Sequence, residues 1–388
     1  MSRRKPLDGV RVLDLTRLLP GAVATLHLAD MGADVIKVED TEAGDYSRAM
    51  GRVREGMSDS FRLLNRNKRA MRLDLKQARG REAFLRLAQR ADVVVEGFRP
   101  GVVNKLGVGY AAVAAVNPRI VYCSISGYGQ DGPYAQRAGH DINYIGYAGI
   151  GDQIGTAESP VVPNFQIADL LGGALVPAMG ILAALLDARS SGKGRYVDVA
   201  MTDAALAHAI FPLLGYLERG KAPPRGTGML DGGLACYNVY RTKDGRFMAV
   251  GALEKKFWAT LCDILGCPEF KEKHLTYGAD ARPVKERLAG IFASRTQSEW
   301  SAVFAGADCC VSPILGIGES LANEQLRARG MVVEADGIAQ LALPLKFSEF
   351  EFGIDRPAPG VGEHTEEILR EAGYRDAEIA ELRVEGVI

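Results

Sequence analysis

Three titratable residues of the sequence, His140, Asp169 and Glu254, stand where proton-transfer chemistry could take place. His140 lies in the stretch AGHDINYIG, close to glycines and beside an aspartate. Asp169 begins a long apolar run in QIADLLGG, and Glu254 follows a predicted strand in VGALEKKFW. A histidine and a carboxylate can serve as general base and general acid for the same substrate. The alternatives are a solvated loop histidine and two first-turn acids favoured by the helix dipole.

The other four histidines have less favourable surroundings. His27 and His208 lie in apolar helical patterns, which are typical of packed core positions. His274 stands in a charged run, and His364 precedes the C-terminal helical pattern. Loops carry functional residues more often than their share of the chain, so His140 is the best candidate of the five.

A glycine-rich motif, GYGQDG at Gly127–Gly132, matches the dinucleotide-binding pattern GxGxxG. A nicotinamide site would require a helix that begins at the third glycine. Here Pro133 follows that glycine directly, and no helical periodicity begins there. We interpret the motif as a loop at the carboxyl end of a strand, where open α/β sheets bind ligands. The sequence contains no P-loop, nucleophile-elbow or HExxH motif.

The composition predicts a globular, intracellular chain with more than one domain. The chain has 388 residues, of which 47% are hydrophobic and 24% charged, and its 47 basic and 48 acidic residues nearly cancel. That balance argues against a nucleic-acid binder that depends on bulk positive charge. Six cysteines without metal-type spacing predict reduced thiols and no zinc site: Cys123, Cys236, Cys262, Cys267, Cys309 and Cys310.

Strand and helix patterns alternate over the first 130 residues and position the candidates above. The apolar runs VRVLDLT, ADVIKVED, DVVVEGF and RIVYCSIS predict strands of a parallel sheet that is covered on both faces. The most apolar run, Leu170–Leu186, is broken by glycines and a proline, which favours a core helix over a membrane span. Further along, VYRTKDGRFMAVGAL predicts a β-hairpin with an Asp-Gly turn.

Taken together, these residues resemble the family III CoA-transferase superfamily (CaiB/BaiF type), and within it the α-methylacyl-CoA racemases. The resemblance runs from LDGVRVLDLTRLLPG through GEHTEEIL. Its most specific pieces are AGHDINY, ADLLGG, SGKGRYVDVAMTD, GMLDGG, VYRTKDGRFMAVGALEKKFW and DCCVSPIL. It implies a large Rossmann-like α/β domain, with a parallel sheet built from N- and C-terminal parts, a smaller α+β domain and an interlocked homodimer.

The domain boundaries expected on this basis leave the large domain in two pieces. Residues 1–217 form its N-terminal part, the Gly- and Pro-rich residues 218–233 a linker, and residues 234–330 the small domain. Residues 331–388 then return to the large domain.

The resemblance also assigns roles to the candidates. It implies an acid/base or nucleophilic role for Asp169, the second proton-transfer role for His140, and orientation of that histidine for Glu254. For the CoA portion of the substrate it implies backbone contacts near RLDL (Arg72, Leu73, Asp74 and Leu75) and contacts from Gly139, Asp141 and Tyr144. Lys37, Arg66, Arg69 and Arg99 are candidate cations for the phosphates, and the alternative for each is a solvated surface charge. The resemblance also implies an arginine that contacts CoA at the position where this chain has Asp40.

Two activities follow from this resemblance. A racemase or epimerase would act on the α-carbon of 2-methylacyl-CoA thioesters, and the presence of all three candidates favours it. A family III CoA-transferase would use Asp169 as its nucleophile and needs no proton-shuttling histidine. Either activity implies an acyl-CoA substrate, no metal or organic cofactor, no nucleic-acid or membrane partner, and a cytoplasmic location.

Overall fold

The computed structural model describes residues 5–388, and the chain divides into two compact units. The first unit consists of Met1–Ala148, Asn164–His208 and Gln325–Ile388. The second consists of Gly149–Pro163 and Ala209–Glu324. The division at His208/Ala209 places the expected linker, residues 218–233, within the second unit. The C-terminal segment belongs to the first unit.

The strands, numbered in chain order, are β1 Arg11–Asp14, β2 Asp34–Glu39, β3 Val53–Arg54, β4 Met57–Ser58, β5 Lys68–Arg72, β6 Val93–Glu96, β7 Val121–Ser126, β8 Arg195–Ala200, β9 Tyr237–Arg241, β10 Phe247–Gly251, β11 Val311–Pro313, β12 Val332–Ala335 and β13 Ile338–Leu341. The α-helices are α1 Leu19–Asp30, α2 Asp59–Asn65, α3 Ala78–Ala88, α4 Val102–Lys105, α5 Tyr110–Val116, α6 Asp141–Tyr147, α7 Ile150–Gln153, α8 Val176–Ser191, α9 Met201–Ala207, α10 Ile210–Arg219, α11 Lys255–Leu265, α12 Gly278–Phe292, α13 Gln297–Phe304, α14 Ile317–Ala322, α15 Glu324–Ala328, α16 Thr365–Glu371 and α17 Asp376–Val384. A π-helical segment, Ala168–Leu175, leads directly into α8.

The first unit is built on a six-stranded sheet in the order β5-β2-β1-β6-β7-β8, and every neighbouring pair is parallel. The chain moves from β1 outward to β2 and β5, and then continues from the other side of β1 through β6, β7 and β8. This is the order of Rossmann-like doubly wound sheets, whose ligands bind where the winding reverses. The loops that follow β1 and β6 are therefore the expected position of a ligand.

The expected contribution of the C-terminal part to this sheet was wrong. All six strands lie between residues 11 and 200, whereas the C-terminal segment supplies α16, α17 and the separate hairpin β12–β13. Ile368, Leu369, Ile379 and Leu382 of those two helices are buried in the core cluster that covers one sheet face. The two helices bury an apolar face of the sheet that would otherwise be exposed to solvent, and this burial explains why the segment packs on the first unit.

The segment that carries Asp169 packs closely on two neighbouring helices. A Cβ added at Gly172 would lie 2.8 Å from the Cα of Met201 in α9, and one at Gly173 would lie 2.4 Å from the Cβ of Pro20 in α1. Glycine is therefore required at both positions, and the close packing fixes the first turn that bears Asp169. Ala168–Ser191 is long and apolar enough to cross a membrane by length and composition, but 44% of its most apolar window is buried within the chain.

The second unit has its own hydrophobic core beside a three-stranded antiparallel sheet in the order β11-β10-β9. The predicted hairpin is β9–β10, and its turn places Gly245 at φ 78°. Trp258 and Leu261 of α11 are fully buried in this core, as is Phe292 of α12. Burial of these side chains fixes α11, and Glu254 is the residue that immediately precedes the helix.

Candidate active site

A cavity of about 830 Å³ opens in the first unit where the winding of the sheet reverses. Its wall includes the loop after β1 with the start of α1 (Arg17–Pro20), the loop after β6 (Gly97–Pro100) and the loop after β7 (Gly127 and Tyr128). His140 and Asp169 complete the same wall. The cavity is large enough for a drug-sized ligand and lies at the carboxyl ends of the strands, as doubly wound sheets predict.

Asp169 is a half-buried carboxylate in the first turn of the π-helical segment. Its carboxyl oxygens form no hydrogen bond or ion pair within residues 5–388, although its backbone N–H donates to Asp141. Burial raises the pKa of Asp169 to about 6, with a further upward contribution from Asp141 and a downward one from His140. This carboxyl group can therefore hold or release a proton near neutral pH.

His140 is the N-cap residue of α6 and is exposed. Its backbone N–H donates to Oδ1 of Asn143 at 3.0 Å, and its carbonyl accepts from the N–H groups of Asn143 and Tyr144. These bonds fix the backbone of His140 and leave its side chain at the wall of the cavity. Among the other histidines none lines this cavity, and His208 is exposed at the end of α9 instead of packed in the core.

Gly139 and Tyr144 form a compact part of the wall. A Cβ at Gly139 would lie 2.7 Å from the hydroxyl oxygen of Tyr128 and 2.7 Å from the ring of Tyr144. The Tyr144 hydroxyl donates to the Gly139 carbonyl at 2.5 Å, and burial raises the pKa of that hydroxyl to about 12. Glycine is needed here because the two tyrosines occupy the space of a side chain, and this packing holds the adjacent His140 in place.

Arg17, Arg99 and Arg137 place positive charge around the cavity. Arg99 is exposed and has no ion-pair partner in the described chain. The Arg17 guanidinium forms an ion pair with Asp40 and lies 5.4 Å from the ring centre of Tyr46. Asp40 thus holds a cation at this cavity.

Sequence reasoning missed Arg17, Arg137 and Leu18. Arg17 and Leu18 lie in the loop after β1, at the reversal of winding, and that position could have drawn attention to them. Leu18 has φ 61°, a conformation that residues other than glycine rarely adopt. Strained backbone of this kind clusters at ligand-binding positions. No comparable signal marks Arg137, because its place in the cavity depends on the course of a long loop.

The phosphate-binding role was assigned wrongly to three cations, because their side chains are buried in ion pairs. Lys37 is fully buried, and its Nζ lies 2.6 Å from Oδ2 of Asp45. Arg66 and Arg69 are 3% and 5% exposed and are paired with Asp30 and Asp34, with Glu367 and Glu371 also bound by Arg69. These three side chains lie in the folded interior instead of meeting solvent, and residue type alone did not show this.

Arg72 is the last residue of β5, and Leu73, Asp74 and Leu75 follow it at the same edge of the sheet. None of the four lines this cavity. Leu73 and Leu75 are buried in the hydrophobic core. The backbone N–H groups of Leu73 and Asp74 donate to the carbonyls of Glu39 and Val387. Contact of this backbone with CoA stays a prediction.

Asp141 and Glu254 lie outside the cavity wall. Oδ1 of Asp141 accepts hydrogen bonds from the backbone N–H groups of Ala168 and Asp169. Glu254 belongs to the second unit, where it is exposed at the N-cap of α11 and makes no side-chain capping bond. Within residues 5–388 no group of three or more His, Cys, Asp or Glu side chains could hold a metal ion.

The chain matches known proteins over almost its whole length. Residues 7–365 match the family model described as CoA-transferase family III. The chain is 36% identical over 385 residues to α-methylacyl-CoA racemase from Homo sapiens, covering 98% of this chain and 97% of that protein. It is 35% identical over 402 residues to succinyl-CoA:glutarate CoA-transferase from Homo sapiens, covering 100% of this chain and 91% of that protein.

A solved structure agrees with this assignment. The crystal structure of a CAIB/BAIF family protein from Brucella suis superimposes with a TM-score of 0.84 at 32% identity, covering 95% of this chain and 99% of that chain. Its likeness includes the α/β architecture of the cavity-bearing unit. The similar identities to a racemase and to a transferase show the family without separating the two activities. The chain belongs to CoA-transferase family III.

Proposed function

We propose that this chain is a racemase or epimerase that inverts the α-carbon of 2-methylacyl-CoA thioesters by proton transfer. One observation carries the proposal: His140 and Asp169 line one cavity, and the pKa of Asp169 is raised to about 6. Inversion requires one group that accepts the α-proton and a second group that returns a proton to the opposite face. An imidazole and a carboxyl group at one cavity can exchange these tasks, because each can accept a proton in one direction and return one in the other.

The proposed reaction has two steps and needs no cofactor. In one direction the neutral His140 ring removes the α-proton, the C–H electron pair moves into the thioester as an enolate, and protonated Asp169 returns its proton to the α-carbon. In the other direction the Asp169 carboxylate removes the proton and the His140 imidazolium returns one. Asp141 occupies the backbone N–H groups of Ala168 and Asp169, so neither of these donors is free to bind the enolate oxygen.

A CoA-transferase is the second candidate. The observation in its favour is the Asp169 carboxylate itself, which faces the cavity without a hydrogen-bond partner in the described chain and is thus free to attack a thioester carbonyl. That attack would form an acyl–aspartyl anhydride and release the CoA thiolate. The similarity to succinyl-CoA:glutarate CoA-transferase also fits this activity.

Incubation with one pure 2-methylacyl-CoA stereoisomer in D₂O separates the two activities. A racemase incorporates deuterium at the α-carbon and forms the opposite configuration with no second acid present. A transferase leaves the α-carbon unlabelled and transfers CoA only after a carboxylic acid acceptor is added. NMR and mass spectrometry of the recovered thioester distinguish these results, and label-free substrate with acceptor-dependent CoA transfer would contradict the racemase.

Glu254 enters the proposal as the carboxylate that stabilises the imidazolium form of His140. Glu254→Gln removes the charge and keeps the shape, so we expect kcat/KM for racemisation to fall about 10-fold or more. Glu272→Gln is a matched control, since Glu272 is exposed on the same unit and pairs with Lys255. An unchanged kcat/KM in the Glu254 variant would remove this residue from the mechanism.

The phosphates of CoA would be held by the cations at the cavity. Arg99 is exposed without an ion-pair partner in the described chain, and Arg17 is held at the wall by Asp40. We therefore assign Arg17 the role that the missing arginine plays in relatives. The reaction itself uses no metal or organic cofactor. We also propose a cytoplasmic location, which suits a chain whose six cysteines are free thiols.

The homodimer implied by the family resemblance is also a proposal. Large apolar side chains of the first unit are exposed along one segment: Leu175, Met179 and Leu186 are 52%, 64% and 73% exposed. Contiguous exposed apolar surface of this kind marks an interaction face, and we expect a second copy of the chain to cover it. Sedimentation velocity at micromolar concentration should give twice the monomer mass of 41.7 kDa. A compact monomer under those conditions would contradict the dimer.

A further inference from the structure

The Asp141 carboxylate joins the two segments that carry the proposed proton-transfer pair. Asp141 is the first residue of α6 and directly follows His140. Its Oδ1 accepts from the backbone N–H of Ala168 at 2.7 Å and from that of Asp169 at 3.0 Å. These two N–H groups lie at the start of a helical segment, where intrahelical acceptors are lacking. One side chain thus satisfies two otherwise unpaired donors and links the segments.

We infer that Asp141 is a positioning residue that fixes the Asp169 segment relative to His140, and that it is not a ligand of CoA. The main-chain bonds of His140 and the close packing of Gly172 and Gly173 hold each segment separately. Asp141 is the side chain that bonds one to the other. A proton shuttle depends on the distance between its two groups, and a shift of about 1 Å can cost about 10²-fold in rate.

The charge of Asp141 has a separate effect from its hydrogen bonds. Its negative charge contributes to the upward shift of the Asp169 pKa, after burial, whereas His140 acts in the opposite direction. Removal of the charge should therefore lower the pKa of Asp169 and favour its ionised form. The two effects can be separated by substitution, because asparagine retains a carbonyl acceptor but carries no charge.

This inference rests on the proposed function, in which His140 and Asp169 act together in proton transfer. The kinetic test follows from that function. In Asp141→Asn we expect the acidic limb of the kcat/KM profile to move down by about one pH unit. The acidic limb should move equally in both directions of the reaction. The two stereoisomers have nearly equal free energy, and their kcat/KM values are therefore nearly equal. In Asp141→Ala we expect kcat to fall about tenfold or more with little change in KM. Asp131→Asn is the control, since Asp131 is an exposed acid outside the cavity.

A merely structural role would lower the melting temperature without moving the pH limb. A CoA-ligand role would raise KM and leave kcat and the limb unchanged. Either of these results would overturn the inference.

A readout independent of activity keeps this inference separable from the proposed function. A water-soluble carbodiimide couples a protonated carboxyl group to an added amine, forming an amide and a urea, and peptide mapping by mass spectrometry reports the yield at Asp169. We expect the pH midpoint of labelling near 6 in the native enzyme and lower in Asp141→Asn. The same midpoint in both proteins would overturn the inference whatever reaction the enzyme catalyses. A shifted midpoint without α-proton exchange would retain the role of Asp141 and reject the racemase.

Discussion

Asp169→Asn and His140→Ala should each reduce racemisation by about 10²- to 10⁴-fold, because each variant removes one of two obligatory proton-transfer groups. Asp169 is the more informative position, since its isosteric amide keeps the packing of the π-helical segment. Both residues line the same cavity, and neither side chain belongs to the hydrophobic core of the first unit. We therefore expect the melting temperature and the binding of CoA to stay close to those of the native enzyme.

The pair of variants also discriminates between the two candidate activities. A transferase that uses Asp169 as its nucleophile should lose activity in Asp169→Asn and retain most of it in His140→Ala. A racemase should lose activity in both. Isotope exchange sharpens the comparison, because an enzyme that retains one base can still remove the α-proton from one stereoisomer. Near-normal inversion by either variant would exclude that residue from the proton transfer.

The sequence predicted the main features of the cavity-bearing unit because its patterns are local. Continuous apolar strands that alternate with helices imply a parallel sheet, and the six-stranded parallel sheet confirms this. The loop position of His140 and the helix start at Asp169 could likewise be located from periodicity and glycines. The C-terminal segment forms a helix where the helical pattern predicts one, and only its expected share in the sheet was wrong, because local pattern does not show whether a returning segment also adds a strand.

Charged residues were predicted least well, because their roles depend on partners that are distant in sequence. Lys37 and Arg66 have no local feature that separates a buried ion pair from a solvated cation, and both are paired in the fold. Arg17 is held by Asp40, 23 residues away. Asp141 was grouped with the CoA ligands through its neighbours in AGHDINY, but its partners Ala168 and Asp169 are 27 and 28 residues away.

The buried pair of Lys37 and Asp45 should give the largest single effect on stability. Both side chains are fully buried, and Nζ of Lys37 also donates to the carbonyl of Thr16 at 2.9 Å. Oδ1 of Asp45 accepts from the N–H and hydroxyl of Ser47, which lines the cavity. Asp45→Asn leaves an uncompensated ammonium group in the interior, and we expect a loss of about 3–5 kcal/mol in the free energy of unfolding. Urea denaturation measures it, with Glu42→Gln as the control because the Lys76–Glu42 pair is exposed.

The pH dependence of this pair provides the sharper test. Burial alone would raise the pKa of Asp45, but the charge of Lys37 and the hydrogen bonds from Lys37 and Ser47 together outweigh it and lower the pKa to about 2. A carboxyl group with a lowered pKa stabilises the fold above its unfolded value near 3.8, and that contribution is lost as the pH falls toward 2. The double variant Lys37→Met/Asp45→Asn removes both charges, so it should recover most of the stability and lose this component of acid sensitivity. If the double variant were no more stable than Asp45→Asn, the cost would come from packing around Asp45 and Ser47 instead of from the unpaired charge.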